Sequence, residues 1–238
     1  MSRYQATIRA LGHARRRAFE TVGSYRFSRT GAHGIDRQLE AYLDLDGGFF
    51  VEAGANDGVN FSNTYYLEKA RSWTGVLVEG IPELYRACVR HRPRSRVFNC
   101  ALVPPELEGE GVTMHYSNLQ SVVSGALPYE HVEAGLRSQG EATYDVTVPG
   151  RTLSAVLDEV DPPRLDLLVL DVEGYEPQVL RGLDLSRHAP RYILVEIRDG
   201  DTTAVDEVLG TRYAEVERLS PYDVLYALAD EATPRRDA

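Results

Sequence analysis

The segment Phe49–Gly58 constrains the fold of this chain more than any other stretch of its sequence. It is an apolar run that ends in an acid and continues into a glycine-containing turn. Because glycine has no Cβ, such a turn lets backbone N–H groups approach a ligand closely. About twenty residues further on, the apolar run Gly75–Val78 ends in Glu79, where an acid is placed to accept both hydroxyls of a ribose. Together the two segments predict a nucleoside-binding α/β fold.

The spacing of the turn indicates which ligand it suits. Dinucleotide-binding folds carry G-x-G-x-x-G, whereas this chain has Glu52-x-Gly54-x-Asn56-x-Gly58. That spacing resembles the E/D-x-G-x-G-x-G turn of class I S-adenosylmethionine (SAM) methyltransferases, with Asn56 at the middle glycine. Asparagine is among the non-glycine residues that adopt a positive φ most readily. Glu52 also suits a ligand with an ammonium group better than one with two phosphates.

The composition argues against several classes of partner. The chain has 238 residues and a formal net charge of −10, which argues against nucleic acid because such binding depends on cationic neutralisation of phosphates. No apolar run approaches the ~20 residues that span a bilayer, and no apolar signal segment opens the chain. We therefore expect a cytoplasmic protein without an integral membrane segment. Cys88 and Cys100 lack metal-ligand spacing and are expected to be buried thiols.

Strands and helices alternate along most of the chain, which is typical of right-handed βαβ crossovers and a mainly parallel sheet. We divide the chain into an N-terminal helical extension (1–46), a main domain (47–230) and a tail (231–238). The closing pair of strands is short enough to be a hairpin, which would make the last strand antiparallel. The predicted strands are 49–53, 75–79, 96–102, 165–171, 192–197, 213–219 and 223–229, and the main helices are 35–43, 62–69, 82–90, 153–160, 177–182 and 204–209.

Two segments are not explained by this alternation. Residues 1–30 are rich in arginine, with Glu20 as their one acid, and their apolar residues have helical spacing. A basic amphipathic helix can lie on a membrane surface; the alternative, which we favour, is that it covers the domain or a neighbouring subunit of a homodimer. Residues 104–150 are too long for a simple crossover, and insertions of this kind are more often lids or binding loops.

The segment Leu170–Leu183 resembles the signature of the FkbM-type methyltransferases, an apolar strand followed by D-V-E-G-x-E and V-L-x-G. Further matches occur in the same order at Val51–Gly58, Ser62–Thr64, Val78–Glu79 and Asn99–Leu102, so that the resemblance runs from about Ile35 to Glu196. It implies a Rossmann-like, doubly wound α/β fold whose seven-stranded sheet has the order 3-2-1-4-5-7-6. It also implies SAM as cofactor and a small-molecule acceptor. Gly80 stands where the family usually has proline.

SAM presents a sulfonium, an amino-acid end and an adenosine, and the candidate residues can be assigned to these parts. Glu79 is expected to hold the ribose, and the end of the third strand to lie against the adenine. Asn99 could instead be an amide that caps a turn. The candidate cofactor-binding residues are Glu52, Gly54, Asn56, Asp57, Asn63, Glu79, Asn99, Ala101 and Asp171.

Three acids form the candidate catalytic site. Asp171 and Glu173 follow the fourth strand and Glu196 ends the fifth, so they meet in the crevice where open α/β sheets bind ligands. One of them could be the general base that deprotonates an acceptor hydroxyl. Alternatively, Asp171 and Glu196 could hold a divalent cation such as Mg²⁺; we favour the metal-free version. The non-catalytic alternatives are that Glu173 caps the next helix and that Glu196 pairs with Arg198 or Arg191.

Other side chains compete for roles at the acceptor. Three histidines are alternative bases, two serines could orient a hydroxyl, and three tyrosines could form a wall for a ring-shaped substrate. They are His33, His115, His131, Ser121, Ser124, Tyr116, Tyr129 and Tyr144. The leading hypothesis is O-methylation of a small molecule such as a sugar or secondary metabolite. The alternatives are N- or carboxyl-methylation on the same fold, or a non-catalytic SAM-fold partner subunit.

Overall fold

The computed structural model describes residues 3–117, 120–123, 144–198 and 200–230. Its strands are β1 (Phe49–Ala53), β2 (Thr74–Val78), β3 (Ser95–Phe98), β4 (Ala101–Leu102), β5 (Gly111–Ser117), β6 (Gln120–Val123), β7 (Tyr144–Arg151), β8 (Leu167–Leu170), β9 (Tyr192–Glu196), β10 (Tyr213–Arg218) and β11 (Asp223–Leu228). The α-helices are α1 (Arg3–Thr21), α2 (Ile35–Gln38), α3 (Tyr65–Ala70), α4 (Pro82–His91), α5 (Leu153–Val160), α6 (Glu176–Arg181) and α7 (Thr203–Leu209).

Seven of these strands form one twisted sheet in the order β3-β2-β1-β8-β9-β11-β10. Neighbours pair in parallel from β3 to β9, whereas β11 is antiparallel to both β9 and β10. The predicted doubly wound α/β fold with an antiparallel last strand is therefore confirmed. When only the seven strands of this sheet are numbered along the chain, their order is the predicted 3-2-1-4-5-7-6. The labels β8–β11 differ from these numbers because strands β4–β7 belong to a second sheet.

Helices cover both faces of the central sheet because its strands alternate apolar side chains between two cores. On β1, Val51 belongs to the core beneath α5, α6 and α7, whereas Phe50 belongs to the core beneath α2, α3 and α4. Thr152 caps α5 as predicted, its hydroxyl accepting from the Ala155 N–H at 3.1 Å. The predicted helix 35–43 is shorter, since α2 passes into a 3₁₀ turn at Leu39–Ala41.

The predicted third strand, 96–102, was wrong in its extent. Strand β3 ends at Phe98, and after two residues the chain enters β4, which pairs with β7 rather than with β2. The Asn99 side chain explains the break, because its amide donates to the carbonyl oxygens of Glu79 and Gly80, both at 2.8 Å. These bonds turn the chain away from the central sheet.

The insertion 104–150 contains a sheet of its own. Strands β4, β7, β5 and β6 pair in that order, and they enclose a separate apolar core that includes Val103, Met114 and Val148. A Cβ at Gly80 would lie 2.1 Å from the Met114 Sδ atom. Glycine at this position, where the resembling family usually has proline, therefore makes room for β5. Part of the expected lid, 118–119 and 124–143, lies outside the described residues, as does the tail 231–238.

The N-terminal segment begins with α1, a helix of 19 residues. Arg16 donates from Nε to the Phe27 carbonyl oxygen at 3.1 Å, and Glu20 accepts from the Tyr65 hydroxyl at 3.0 Å. The helix thus lies against the main domain, as the favoured interpretation predicted. Within the described ranges, no helix is both long and apolar enough to cross a membrane.

A buried arginine joins the end of α4 to the segment that follows β1. The Arg92 side chain is fully buried, 0% exposed, and forms ion pairs with two buried carboxylates. Every nitrogen of its guanidinium donates a hydrogen bond to the protein. The acceptors are the carboxylates of Glu52 and Glu68, the hydroxyls of Ser62 and Thr64 and the carbonyl oxygen of Gly58. Arg92 therefore holds β1, α3, α4 and the segment 58–64 together.

Replacement of Arg92 by methionine should lower the free energy of unfolding by about 3–5 kcal/mol, because Glu52 and Glu68 would remain buried without their counter-ion. Urea denaturation measures this change. Arg86→Met on the same helix is the matched control; Arg86 is largely exposed and forms an ion pair with Glu83 at 3.9 Å, so its loss should cost less than about 1 kcal/mol. Equal effects of the two substitutions would contradict the structural role of Arg92.

Candidate functional site

A cavity of about 260 Å³ opens at the carboxyl ends of β1, β2, β8 and β9. This is the crevice in which open α/β sheets bind their ligands. Among its lining residues are most of the side chains that the sequence singled out, from both the turn and the acidic group. They are Glu52, Gly54, Asn56, Asn63, Glu79, Ala101, Asp171, Glu173 and Glu196.

The glycine turn after β1 touches the end of β8. Gly54 has φ +78°, and a Cβ on it would lie 1.8 Å from the Asp171 carbonyl oxygen. The Gly54 N–H donates to the Val78 carbonyl oxygen at 3.1 Å, which fixes the turn against β2 as well. Asn56 has φ +50°, so the positive φ predicted for the middle position is confirmed. Only glycine fits at Gly54, whereas asparagine is tolerated two residues later.

Glu79 lies at the tip of β2 with 5% of its surface exposed. Its carboxylate accepts from the N–H groups of Asn56 and Ile81, both at 2.8 Å. Burial raises the pKa of Glu79 to about 7, against the opposing effect of these backbone donors. Because two carboxylate oxygens offer about four acceptor positions, Glu79 retains capacity for the hydroxyls of a ligand.

Glu52 is used chiefly by the protein itself. One of its oxygens accepts from the Asn63 N–H at 2.9 Å, and the other accepts from the hydroxyls of Ser62 and Thr64 at 2.8 and 2.7 Å. With Arg92 as counter-ion, Glu52 fixes the segment that forms one wall of the cavity. Asn63 is also buried, 8% exposed, and its Oδ1 atom has no hydrogen-bond partner in the described part of the chain.

Two candidate residues are held away from the cavity. The Asp57 carboxylate accepts from the N–H groups of Val59 and Asn60 at 2.9 and 2.7 Å, and so stabilises its own loop. The Asn99 amide caps the turn after Glu79, as the alternative assignment had it. Neither side chain is among those that line the cavity.

The acidic cluster, Asp171, Glu173 and Glu196, forms at the other side of the cavity. One carboxylate oxygen from each lies within 4.8 Å of the others. Arg198 forms ion pairs with Glu173 and, at 3.5 Å, with Glu196. Glu173 does not cap the next helix, α6, which has no side-chain cap; the Oε1 atom of Glu176 instead accepts from the N–H groups of Val172 and Gly174 in the turn before it.

Burial raises the pKa values of two of these acids, Asp171 and Glu173. Loss of surrounding water raises the pKa of Asp171 well above its usual range, and the carboxylates of Glu196 and Glu173 add to this. Burial raises the pKa of Glu173 to about 7, although the Arg198 guanidinium opposes the shift. The cluster can therefore take up a proton near neutral pH. Its oxygen separations would also fit a hard divalent cation.

The remaining candidates whose side chains the structure describes do not converge on this cavity. His115 pairs with Asp145 on the second sheet, and His33 is exposed on a 3₁₀ turn. The rings of Tyr116 and Tyr144 lie 5.1 Å apart, outside the lining of the cavity. The other candidates lie outside the described side chains; they are Ser121, Ser124, Tyr129 and His131.

Sequence analysis missed residues whose roles depend on distant contacts. Phe61 lines the cavity at its mouth, with φ +63° and 55% of its surface exposed. A positive φ at an aromatic residue is uncommon and carries strain, but nothing in the local sequence indicates it. Met114 and Val123 of the second sheet also line the cavity. The alternation of Val112 and Met114 with the polar residues Thr113 and His115 was the one available signal.

A sequence profile of the methyltransferase FkbM domain matches residues 52–217. The chain belongs to the FkbM family of class I SAM-dependent methyltransferases. The match includes the glycine turn, Glu79 and the acidic cluster, and the family predicted from the motifs is confirmed. None of the proteins with curated descriptions matches the chain in sequence.

Solved structures that resemble this FkbM protein are distant from it. Methyltransferase FkbM from Methylobacillus flagellatus is 15% identical with a TM-score of 0.45, and the match covers 76% of this chain but 44% of that one. A TehB-like SAM-dependent methyltransferase from Corynebacterium glutamicum is 13% identical with a TM-score of 0.41, covering 93% and 99%. The 1,6-didemethyltoxoflavin-N1-methyltransferase from Burkholderia thailandensis is 12% identical with a TM-score of 0.40, covering 96% and 91%. This chain therefore spans less than half of the Methylobacillus protein.

Replacement of Gly54 by alanine should destabilise the protein more than the same change at Gly47, a control glycine with φ +70° and open space around it. At Gly47 only the cost of a positive φ applies, about 1–2 kcal/mol. At Gly54 the new Cβ would also collide with the Asp171 backbone, which should add about 1–3 kcal/mol. Urea denaturation of both variants measures the difference, and equal losses would show that the contact with Asp171 is not restrictive.

Proposed function

We propose that the protein transfers the methyl group of SAM to a hydroxyl group of a small molecule, such as a sugar or another secondary metabolite. The observation that supports this best is that the glycine turn, Glu79 and the acidic cluster all line one cavity. A donor bound at the turn would direct its sulfonium toward groups that can remove a proton from the acceptor.

The donor is assigned to the side of the cavity formed by the glycine turn. The free acceptor positions of Glu79 suit the two ribose hydroxyls. The unpartnered Oδ1 atom of Asn63 suits an ammonium group, which would give this buried oxygen the partner it lacks. Cys100 and Ala101 line the same cavity and offer an apolar surface to an adenine ring. The ribose, the amino-acid end and the adenine ring of SAM are thereby each matched by a group of suitable chemistry.

The acidic cluster is assigned to proton transfer. As the acceptor oxygen attacks the methyl carbon, the carbon–sulfur bond breaks to leave a neutral thioether, and the hydroxyl proton must pass to a base. A base with a pKa near 7 is efficient at neutral pH because it is largely deprotonated and still basic. Glu173 fits this requirement, and Asp171 lies beside it in the same cluster.

A divalent cation is the second way to activate the acceptor. Held by Asp171 and Glu196, it would lower the pKa of a coordinated hydroxyl. The Arg198 guanidinium already supplies positive charge to Glu173 and Glu196, which is the observation that favours the metal-free version.

The donor assignment predicts that SAM and its demethylated product raise the midpoint of thermal unfolding, because a ligand of the native state stabilises it by mass action. Glu79→Ala should remove most of this shift by deleting the ribose acceptor, and Glu79→Asp should retain part of it. Differential scanning fluorimetry measures each shift against the same variant without ligand. Glu207→Ala, at an exposed position on α7, should keep the full shift. A shift with NAD and none with SAM would contradict the assignment.

The metal-free mechanism predicts that a chelator leaves turnover unchanged. The rate should rise with pH to about 7 and level off above it, because only the deprotonated Glu173 carboxylate accepts the proton. Glu173→Gln should lower kcat about 100-fold or more without weakening SAM binding. Mass spectrometry with methyl-labelled SAM and candidate acceptors measures turnover. Loss of activity with chelator and its return with Mg²⁺ would instead support the metal mechanism, and chelator-insensitive turnover that persists in Glu173→Gln would contradict both.

A further inference from the structure

A second cleft lies between α1 and the main domain, on the far side of the segment that follows β1. Its volume is about 260 Å³, and among the described residues none lines both this cleft and the methyl-transfer cavity. One face of α1 contributes His13, Arg16, Arg17 and Glu20, which the spacing of three and four residues brings to the same side of the helix. We call this space the α1 cleft.

The α1 cleft is strongly cationic in a protein that is acidic as a whole. Arg16, Arg17, Lys69 and Arg90 line it against a single acid, Glu20, whereas the whole chain carries a formal net charge of −10. Like charges gathered around a cleft repel one another unless an anion occupies it. Positive charge is therefore concentrated in the α1 cleft, although the protein as a whole is acidic.

Two of these cations are available to a ligand. Arg17 and Arg90 are exposed, and neither forms a hydrogen bond or ion pair with the part of the chain that the structure describes. The other two are partly engaged: Arg16 donates to the Phe27 carbonyl oxygen, and Lys69 donates to Glu68 and to the His91 carbonyl oxygen. The cleft thus has two cations that the protein itself engages and two exposed arginines that are open to a ligand.

The two histidines of the cleft add donors that could complete an anion site. His91 donates from Nδ1 to the Asp57 carbonyl oxygen at 2.8 Å, and Asn60 lies 3.4 Å from the Nε2 atom of His13. The other nitrogen of neutral His13 carries a proton that it can donate to an anion, whereas that of His91 donates only when the ring is protonated. Burial and the nearby Arg16 lower the pKa of His13, because both disfavour one more positive charge in the cleft. An anion would reverse that preference.

We propose that the α1 cleft binds a phosphate group, carried either by a free phosphorylated molecule or by the headgroup of an anionic lipid. Arginine guanidinium groups match the oxygens of phosphate in pairs and bind it more strongly than neutral donors do. A multiply charged anion also offsets several cations at once, which a single carboxylate does not. This site is additional to the proposed methyl transfer and does not depend on it.

The test measures binding of inorganic phosphate and pyrophosphate by calorimetry, with chloride at matched ionic strength as the reference. The variant Arg17→Gln/Arg90→Gln should weaken the affinity about tenfold or more, the loss expected for charged hydrogen bonds. Its matched control is Arg37→Gln/Arg212→Gln, which removes the same charge from exposed positions outside the cleft and should bind as the parent protein does. Arg17→Lys/Arg90→Lys should retain binding in part.

The source of the phosphate is decided by sedimentation with vesicles. Vesicles of phosphatidylglycerol and phosphatidylcholine are compared with vesicles of phosphatidylcholine alone. If the parent protein sediments with the anionic vesicles and Arg17→Gln/Arg90→Gln does not, the ligand is a lipid headgroup. If the parent protein binds phosphate but does not sediment with these vesicles, the ligand is a free phosphorylated molecule. The proposal is overturned if the parent protein binds neither probe, or if the cleft variant and its control bind equally well.

Discussion

The buried guanidinium of Arg92 is the interaction on which the site depends. Removing a charge from water is costly, and here the cost is offset by two buried carboxylates and by hydrogen bonds to hydroxyl and carbonyl oxygens. The groups that bind it come from β1, α3 and the segment between them. That segment forms one wall of the methyl-transfer cavity and separates it from the α1 cleft. A structural ion pair therefore determines the shape of both spaces.

Local signals in the sequence were enough to predict the glycine turn and the acid that line one part of the cavity. The apolar run before Gly54, the positive φ that Asn56 tolerates and the acid at Glu79 are all properties of short segments. Parallel strands bring their carboxyl ends to one edge of a sheet, so the meeting of Asp171 with Glu196 also followed from the order of the elements.

Other features depend on contacts between residues far apart in the chain. The third strand ends early because Asn99 bonds to the backbone of another turn, and the insertion becomes a sheet because Met114 finds space beside Gly80. Arg92 resembles any surface arginine until its partners, up to 40 residues away, are known. Periodicity and motif spacing contain no information about such pairs, which is why sequence analysis identified Glu52 and missed its counter-ion.

The close approach of Gly54 to the Asp171 backbone has a consequence for how this protein can diversify. The glycine turn and the acidic cluster are in direct backbone contact, so they form one rigid frame whose internal spacing tolerates little change. Met114 and Val123, in contrast, line the cavity from a separate sheet. Under the proposed function, exchange of residues on that sheet would accommodate new acceptors and leave the alignment of methyl donor and base unchanged.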